Sequence, residues 1–169
     1  MPGVVRLMWD TYTAVMDTVM NTRSFPFDVE AFLQRPLVAR IATNAAGGPT
    51  VRPVWFLWEQ GAFWWLTGSY SSVATHLQRD GRVSLVVDTC DLHTLEVLQV
   101  NARGTAQIVA LDPDLARRKL VRYLGEDETT WPQDFHNTTD NDDTRLVRMS
   151  PNRLTARDLS KKRPETPTG

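Results

Sequence analysis

The chain has too few cysteines, too little net charge and too short apolar runs for several large classes of protein. Its single cysteine, Cys90, cannot form an internal disulfide, so we expect a reducing compartment, the cytoplasm. A formal net charge of −1 at pH 7, without a basic stripe, provides no electrostatic attraction for nucleic acid. No apolar run approaches the roughly 20 residues that cross a bilayer. We therefore expect a cytoplasmic protein that binds neither nucleic acid nor membrane.

The sequence also lacks the residue groupings that hydrolytic and metal chemistry require. Ser71 and Ser72 lie outside any G-x-S-x-G motif, which would expose a serine nucleophile on a sharp turn. His93, His136 and Cys90 do not have the spacing of metal ligands. We therefore expect no metal site and no serine nucleophile.

The 169 residues fit a single domain with a terminal extension at each end. Residues 5–20 repeat apolar side chains at helical spacing, which predicts a helix inside an N-terminal arm, residues 1–27. This helix either lies on the body of the domain, or contacts a second copy or covers a substrate. Residues 28–159 are expected to form a barrel, and residues 160–169 a flexible tail.

The body of the chain consists mostly of predicted strands. Short helices are predicted after the capping residues Asp28 and Asp112, and Gly125 is expected to end the second of them. Gly104 is expected to bulge or bend its strand, and residues 126–143 to form a polar loop. This order predicts a mainly β fold with short helices, an antiparallel Greek-key barrel. Strands are predicted at residues 37–43, 49–58, 62–67, 82–88, 95–110, 145–149 and 154–159.

The most informative stretch is a predicted hairpin, residues 49–67, which leads into a polar turn and a helix. The hairpin carries Arg52, and the turn supplies hydroxyls at the start of the helix, on which His76 also lies. The N–H groups and dipole of a helix N-terminus attract anions, and an arginine fork adds charge-assisted hydrogen bonds. The stretch therefore favours a phosphate site. An ordinary hairpin followed by a serine-capped helix is the alternative, with His76 as a capping or surface residue.

Five segments follow one another in a specific order between residues 31 and 159. They are residues 37–58, the turn Thr67-Gly68-Ser69-Tyr70-Ser71, the segment Leu77-Gln78-Arg79-Asp80-Gly81-Arg82-Val83, the strand Gln99-Val100-Asn101-Ala102-Arg103-Gly104, and residues 145–154. Together they resemble the pyridoxamine 5′-phosphate oxidase-like family of split β-barrels. Members of that family bind FMN or the deazaflavin coenzyme F420, so the resemblance implies a split β-barrel and a flavin-type cofactor.

The resemblance also implies which residues contact the cofactor. Arg52 matches an arginine that binds the flavin phosphate, and Gln99 matches a glutamine near the cofactor. It further implies a homodimer, with each cofactor between the two subunits. The cofactor-binding residues expected from the resemblance and from the turn are Arg52, Val54, Trp55, Phe56, Thr67, Gly68, Ser71, Ser72, Val73, His76 and Gln99, with the backbone of Val54, Trp55 and Phe56 at the edge of the isoalloxazine ring.

Three positions depart from the family pattern. Ser72 and Val73 stand where the family turn usually has Arg-Lys, and Leu57 replaces a common lysine. Losing two charge-assisted contacts to a phosphate costs about 3–6 kcal/mol, or roughly two to four decades of affinity. The sequence therefore predicts weak FMN binding, a less highly charged phosphodiester cofactor, or an emptied site. The basic and aromatic set that holds pyridoxal phosphate is missing as well, so vitamin B6 oxidation is not expected.

Two functions follow from these residues. The first is a flavin- or deazaflavin-dependent oxidoreductase that transfers a hydride to or from a hydrophobic small molecule, such as an enone, a quinone or a tetrapyrrole. This chemistry belongs to the cofactor and needs no side-chain nucleophile. The second is a cofactor-less small-molecule binding or biosynthetic protein on the same fold.

Overall fold

One seven-stranded antiparallel sheet forms the body of the protein. The computed structural model describes residues 25–139 and 141–162. The strands are β1 Val38–Ala45, β2 Gly48–Trp55, β3 Leu57–Glu59, β4 Ala62–Thr67, β5 Arg82–Asp88, β6 Leu98–Val109 and β7 Arg145–Asp158. Their order across the sheet is β2-β1-β5-β6-β7-β4-β3. The sheet curls into a half-barrel, which confirms the expected mainly β fold of the split-barrel type.

Capping residues set the ends of the helices, as the sequence predicted. The Asp28 carboxylate accepts a hydrogen bond from the Ala31 N–H (2.9 Å), and the Asp112 carboxylate accepts one from the Leu115 N–H (3.1 Å). Gly125 ends the longest helix with a φ of 90°, which favours glycine. The helices are α1 Val29–Leu33, α2 Ser72–Arg79, α3 Pro113–Leu124 and α4 Gln133–His136, with a 3₁₀ turn at Glu128–Thr130.

The sheet buries apolar side chains on both of its faces around β3 and β4. The inner face holds the main core, where Phe63 and Trp65 of β4 meet Val73 and Leu77 of α2. Successive strand residues point to opposite faces, so Leu66 lies on the outer face, against the cluster that α3 contributes. This two-sided burial puts α2 and α3 on opposite sides of the sheet.

The predicted hairpin at residues 49–67 is confirmed only next to its turn. β2 pairs along its length with β1, and only the three-residue strand β3 pairs with β4. The break falls at Phe56, whose N–H donates to the Tyr123 hydroxyl (3.0 Å), and whose carbonyl accepts from that hydroxyl (2.9 Å). Because a side chain of α3 occupies these backbone groups, Phe56 makes no strand pair, and the chain passes there from β2 to β3.

The last two predicted strands, residues 145–149 and 154–159, form one continuous strand, β7. The expected irregularity at Gly104 is confirmed, because the pairing of β6 with β7 shifts between Arg103 and Gly104. A Cβ on Gly104 would overlap the carbonyl oxygen of Ser150, so only glycine allows this close approach. The shift leaves Asn152 of β7 without a partner in the register, and β7 continues past it.

The predicted polar loop at residues 126–143 contains the 3₁₀ turn and α4. Trp131 anchors this region: its side chain is buried, and its Nε1 donates to the Gly125 carbonyl (3.0 Å). The helix predicted at residues 5–20 lies outside the described residues. Within the described ranges, no helix has the length and apolarity needed to cross a membrane.

Candidate functional site

Arg52 lies against the start of α2, as the sequence predicted. Alternate residues of β2 face inward, and Arg52 pairs in register with the buried Ile41 of β1, so its side chain lies on the face that α2 covers. One guanidinium nitrogen, Nη2, donates to the Ser72 Oγ (2.8 Å), and Nη1 donates to the Ser71 Oγ (3.3 Å). No carboxylate of the described residues pairs with this guanidinium. A positive charge is therefore held at a helix N-terminus without a negative partner.

The turn that precedes α2 is fixed on both sides. The Ser71 Oγ accepts from the Val73 N–H (3.3 Å) and so caps α2, while the Ser71 N–H donates to the Gly68 carbonyl (3.0 Å). A Cβ on Gly68 would come within 2.9 Å of the Asp143 carbonyl oxygen, so the chain passes too closely for a larger residue. The Asp143 carboxylate accepts from the N–H and hydroxyl of Ser69. Among the described residues, this carboxylate is the one negative charge bonded to the turn.

Thr67 ends β4 immediately before the turn and has an unused hydroxyl. Its side chain is 1% exposed, and its Oγ1 has no hydrogen-bond partner among the described residues. A buried polar group without a partner costs about 1–3 kcal/mol. The hydroxyl is thus free to bond a ligand that reaches the inner face.

His76 is bonded to β1 and not to Arg52. Its Nδ1 lies 3.0 Å from the Oγ1 of Thr43, which lies 3.2 Å from the Oγ1 of Thr50. Thr50 and Arg52 are two residues apart on β2, so this row and the arginine share one face. Thr43 is buried. Neither threonine was among the site residues expected from the sequence. His76 therefore adjoins the candidate site through two hydroxyl groups.

Contacts within the protein cover much of the surface of Trp55, Phe56 and Val73, which leaves little of it for a ligand. Phe56 is fully buried, and its backbone polar groups are bonded to Tyr123. The Trp55 ring is stacked between Tyr123 (centroids 4.8 Å apart) and Phe135 (5.5 Å). The Val73 side chain is 2% exposed in the main core, which leaves only its backbone available. Val54 faces inward beside Arg52, half-buried.

Gln99 is not brought to Arg52 within one chain. Across the sheet, Arg52 is in register with Ile41, Leu85 and then Ala102 of β6. β6 is three strands, or about 14 Å, from β2. Gln99 lies three residues before Ala102 on β6. Its Oε1 accepts from the Asn101 Nδ2 (2.8 Å). It lines a cavity of about 300 Å³ together with Ser84, Leu85, Asn101, Ala102, Arg103, Arg153, Thr155 and Arg157.

That cavity has a concentration of positive charge that the sequence analysis missed. Arg103 and Arg153 are direct neighbours across β6 and β7. Like charges in this position are destabilising, and neither arginine has a carboxylate partner among the described residues. Arg103 lies in a segment that was predicted to be a strand, and Arg153 directly precedes another. That they are neighbours depends on the register of β6 and β7, which the bulge sets and which the sequence does not reveal.

Comparison with known proteins identifies the family model and the solved structures that this chain resembles. A family model described as pyridoxamine 5′-phosphate oxidase matches residues 26–158 of the chain. No curated protein matches the sequence. Among solved structures, a conserved hypothetical protein from Mycobacterium tuberculosis has a TM-score of 0.65 at 22% identity, covering 87% of this chain and 96% of that one.

Two further solved structures show the same fold. An F420 reductase has a TM-score of 0.57 at 24% identity and covers 77% of this chain and 98% of that one. A heme storage protein from Vibrio cholerae has a TM-score of 0.60 at 18% identity and covers 78% of this chain and 94% of that one. At these identities the likeness establishes the fold.

Proposed function

The chain belongs to the pyridoxamine 5′-phosphate oxidase family, and we propose that it is a flavin- or deazaflavin-dependent oxidoreductase. Its substrate would be a hydrophobic small molecule that gains or loses a hydride. One observation carries the proposal: the Arg52 guanidinium lies on the hydroxyls of Ser71 and Ser72 at the N-terminus of α2, without a carboxylate partner. A cation, two hydroxyls and a helix N-terminus form a setting for phosphate.

The residues around Arg52 fit a phosphate group with a single charge. Arg52, Ser71 and Ser72 would hold it, and the unpartnered Thr67 hydroxyl offers one more donor. The phosphomonoester of FMN carries about −1.5 to −2 at pH 7, whereas a phosphodiester carries one negative charge. Since one guanidinium faces the site and Asp143 adds a negative charge to the turn, we propose that the phosphodiester cofactor F420 binds more tightly than FMN. The fold of an F420 reductase is consistent with this preference.

The cofactor would supply the hydride chemistry at its central ring. The chain's own residues bind and orient it: the Arg52 group anchors the phosphate, and the half-buried Val54 lies beside that group on the inner face. The next two residues of the chain are held in place, because the Trp55 ring is stacked on Tyr123 and the Phe56 ring is fully buried. The Arg52 group is open to solvent at the exposed Ser72.

A homodimer would bring together the two halves that one chain keeps apart. Gln99 and Arg103 lie three strands from Arg52, and the neighbouring Arg153 lies four strands away. In the proposed dimer, the Gln99 face of one copy lies against the Arg52 group of the other. Mixing Arg52→Ala and Gln99→Ala chains tests this arrangement, because a shared site predicts cofactor binding in the mixture that each variant alone lacks.

Titration with each cofactor tests the proposed function. FMN and oxidised and reduced F420 are added to the protein and to Arg52→Ala, with binding followed by absorbance and fluorescence. The loss of charge-assisted bonds is expected to weaken binding about 10- to 100-fold. Arg40→Ala is the matched control, since Arg40 lies on the adjacent strand and pairs with Asp88. The proposal fails if no cofactor binds more tightly than about 100 μM, or if Arg52→Ala binds as well as the parent.

A cofactor-less small-molecule binder is the second candidate. Val73 favours it, because a core residue now stands where the family turn carries a cation. The same fold serves in a heme storage protein. Adding hemin in the same titration separates the two candidates. Saturable hemin binding without flavin binding supports the second, and flavin binding that depends on Arg52 excludes it.

A further inference from the structure

A buried lysine on α3 has no negative partner in the part of the chain that the structure describes. Lys119 lies one helical turn after Leu115 and Ala116, on the side of α3 that faces the sheet, and its side chain is 4% exposed. Lysines are almost never this buried unless they are paired. No carboxylate within the described ranges forms an ion pair with it. Apolar packing alone therefore does not explain why a lysine is buried at position 119.

The contacts of Lys119 compensate its charge only weakly. Its Nζ lies 5.6 Å from the centroid of the Trp55 ring, the same ring that is stacked between Tyr123 and Phe135. A cation held over an aromatic face gains some electrostatic stabilisation, less than an ion pair provides at this depth. Burial lowers the pKa of the Lys119 amine to about 8 because the charged form has lost its water.

A cavity adjoins this lysine on the outer face of the sheet. Its volume is about 260 Å³, and Lys119 lines it together with Leu66, Phe135, Asn137, Thr138 and Thr144. The lining includes the apolar side chains of Leu66 and Phe135 and several amide and hydroxyl groups. Thr144 is itself buried, at 3% exposure. The size is below the roughly 300–1,000 Å³ of pockets for drug-sized ligands, so only a small molecule fits.

This cavity is separate from the Arg52 group. Trp55 and Arg52 are three residues apart on β2, and residues at odd separation point to opposite faces of a strand. Lys119 lies with Trp55 on the outer side. The cavity is therefore not part of the proposed cofactor site.

We infer that this cavity binds a small planar monocarboxylate, with the Lys119 ammonium as its counter-ion and Leu66 and Phe135 against its apolar part. One buried cation without a partner matches one carboxylate, and the amides and hydroxyls can bond its remaining lone pairs. Two other titratable groups line the cavity. Asp134 of α4 is exposed to solvent, where its charge is screened. Tyr70 is largely exposed, and partial loss of solvent together with the Asp143 carboxylate raises the pKa of its hydroxyl, which stays neutral.

The lysine content of the chain makes this inference simple to test. The sequence contains three lysines, and the other two, Lys161 and Lys162, are exposed near the C-terminus. Selective ¹³C labelling of lysine thus gives three side-chain signals. The double variant Lys161→Arg/Lys162→Arg leaves only the Lys119 signal and assigns it without disturbing the cavity.

Benzoate is the probe, and benzamide is its neutral control of the same shape. We expect benzoate to move the Lys119 signal saturably and to raise its pKa by at least half a unit, since an anion favours the charged form. Lys161 and Lys162 should not respond, and benzamide should bind at least tenfold more weakly. Lys119→Met should lose benzoate binding, while Arg52→Ala should keep it.

Three results would overturn the inference. They are no movement of the Lys119 signal up to about 50 mM benzoate, equal binding of benzamide, and unchanged benzoate binding by Lys119→Met. If the methionine variant fails to fold, the comparison of benzoate with benzamide on the parent protein still decides.

Discussion

The Tyr123 hydroxyl holds both backbone polar groups of Phe56, accepting its N–H at 3.0 Å and donating toward its carbonyl at 2.9 Å. The hydroxyl has one proton, which it shares between this carbonyl and that of Leu37, 2.6 Å away. One side chain of α3 thus satisfies backbone groups of two separate segments, at the point where the chain passes from β2 to β3. Burial raises the pKa of the Tyr123 hydroxyl, which keeps it neutral and able to donate.

Replacing Tyr123 with phenylalanine should therefore destabilise the protein. The buried N–H of Phe56 would lose its acceptor, which costs about 1–3 kcal/mol in the free energy of unfolding. Urea denaturation measures the loss. Tyr70→Phe is the matched control, because Tyr70 is 70% exposed, and it should change stability by less than about 0.5 kcal/mol. Equal stabilities of the two variants would show that the Phe56 bonds contribute nothing.

The bulge between β6 and β7 gives a second test. Alanine at Gly104 would place its Cβ on the Ser150 carbonyl oxygen, and because both groups are backbone the strands must separate. We expect a loss of about 2–4 kcal/mol, measured as a drop in the melting temperature. Gly47→Ala is the control, since a Cβ there meets nothing within 4 Å. A parent-like melting temperature for Gly104→Ala would mean that the bulge tolerates a side chain.

Features encoded by neighbouring residues were predictable from the sequence. The caps at Asp28 and Asp112, the helix end at Gly125 and the bulge at Gly104 each depend on a few local residues, and all were confirmed. The placement of Arg52 beside the start of α2 was also expected, although β3 and β4 separate the two in the chain.

Contacts between distant segments could not be read from local patterns. Tyr123 is 67 residues from Phe56, and nothing near either residue signals that they meet. Phe135 lies in a polar stretch that the sequence predicted to be a loop, yet its ring stacks on Trp55. For the same reason the hairpin at residues 49–67 was predicted to be longer than it is: the interruption at Phe56 comes from α3, not from the hairpin itself.

Restoring one cation to the turn should favour the more highly charged cofactor. Ser72 is exposed at the first position of α2, so Ser72→Arg can be accommodated next to Arg52. We expect FMN to bind at least tenfold more tightly, with a smaller gain for F420, because a phosphomonoester carries more charge. Calorimetric titration measures both. Ser72→Gln controls for side-chain size, and an unchanged FMN affinity for Ser72→Arg would place the phosphate elsewhere.

A cation at the neighbouring position 73 should instead destabilise the protein. Val73 is 2% exposed in the main core, so Val73→Lys buries an ammonium without a partner and removes an apolar contact. We expect a loss of about 3 kcal/mol or more in unfolding free energy. Ser72→Lys, on the exposed side of the same turn, should stay within about 0.5 kcal/mol of the parent. If Val73→Lys is as stable as the parent, the position is not the core residue that the structure shows.

Lys119 should make the stability of the protein depend on pH in the alkaline range. Its pKa is lowered to about 8 in the folded state, against 10.5 for an unperturbed lysine. Below about pH 8 the amine is charged in both states, and its burial destabilises the fold by up to about 3 kcal/mol. Between pH 8 and about 10.5 the unfolded chain binds more protons than the folded one, so stability rises with pH.

Comparing the parent with Lys119→Met isolates this effect from the other groups that titrate in the same range. Methionine keeps an unbranched chain in the same space without a charge. We expect Lys119→Met to be the more stable protein at pH 7, and its advantage to shrink steadily as the pH approaches 10. Unfolding free energies from urea titrations at half-unit intervals measure the difference. An advantage that stays constant across this range would mean that Lys119 keeps its proton in the folded protein, and that its charge is already compensated.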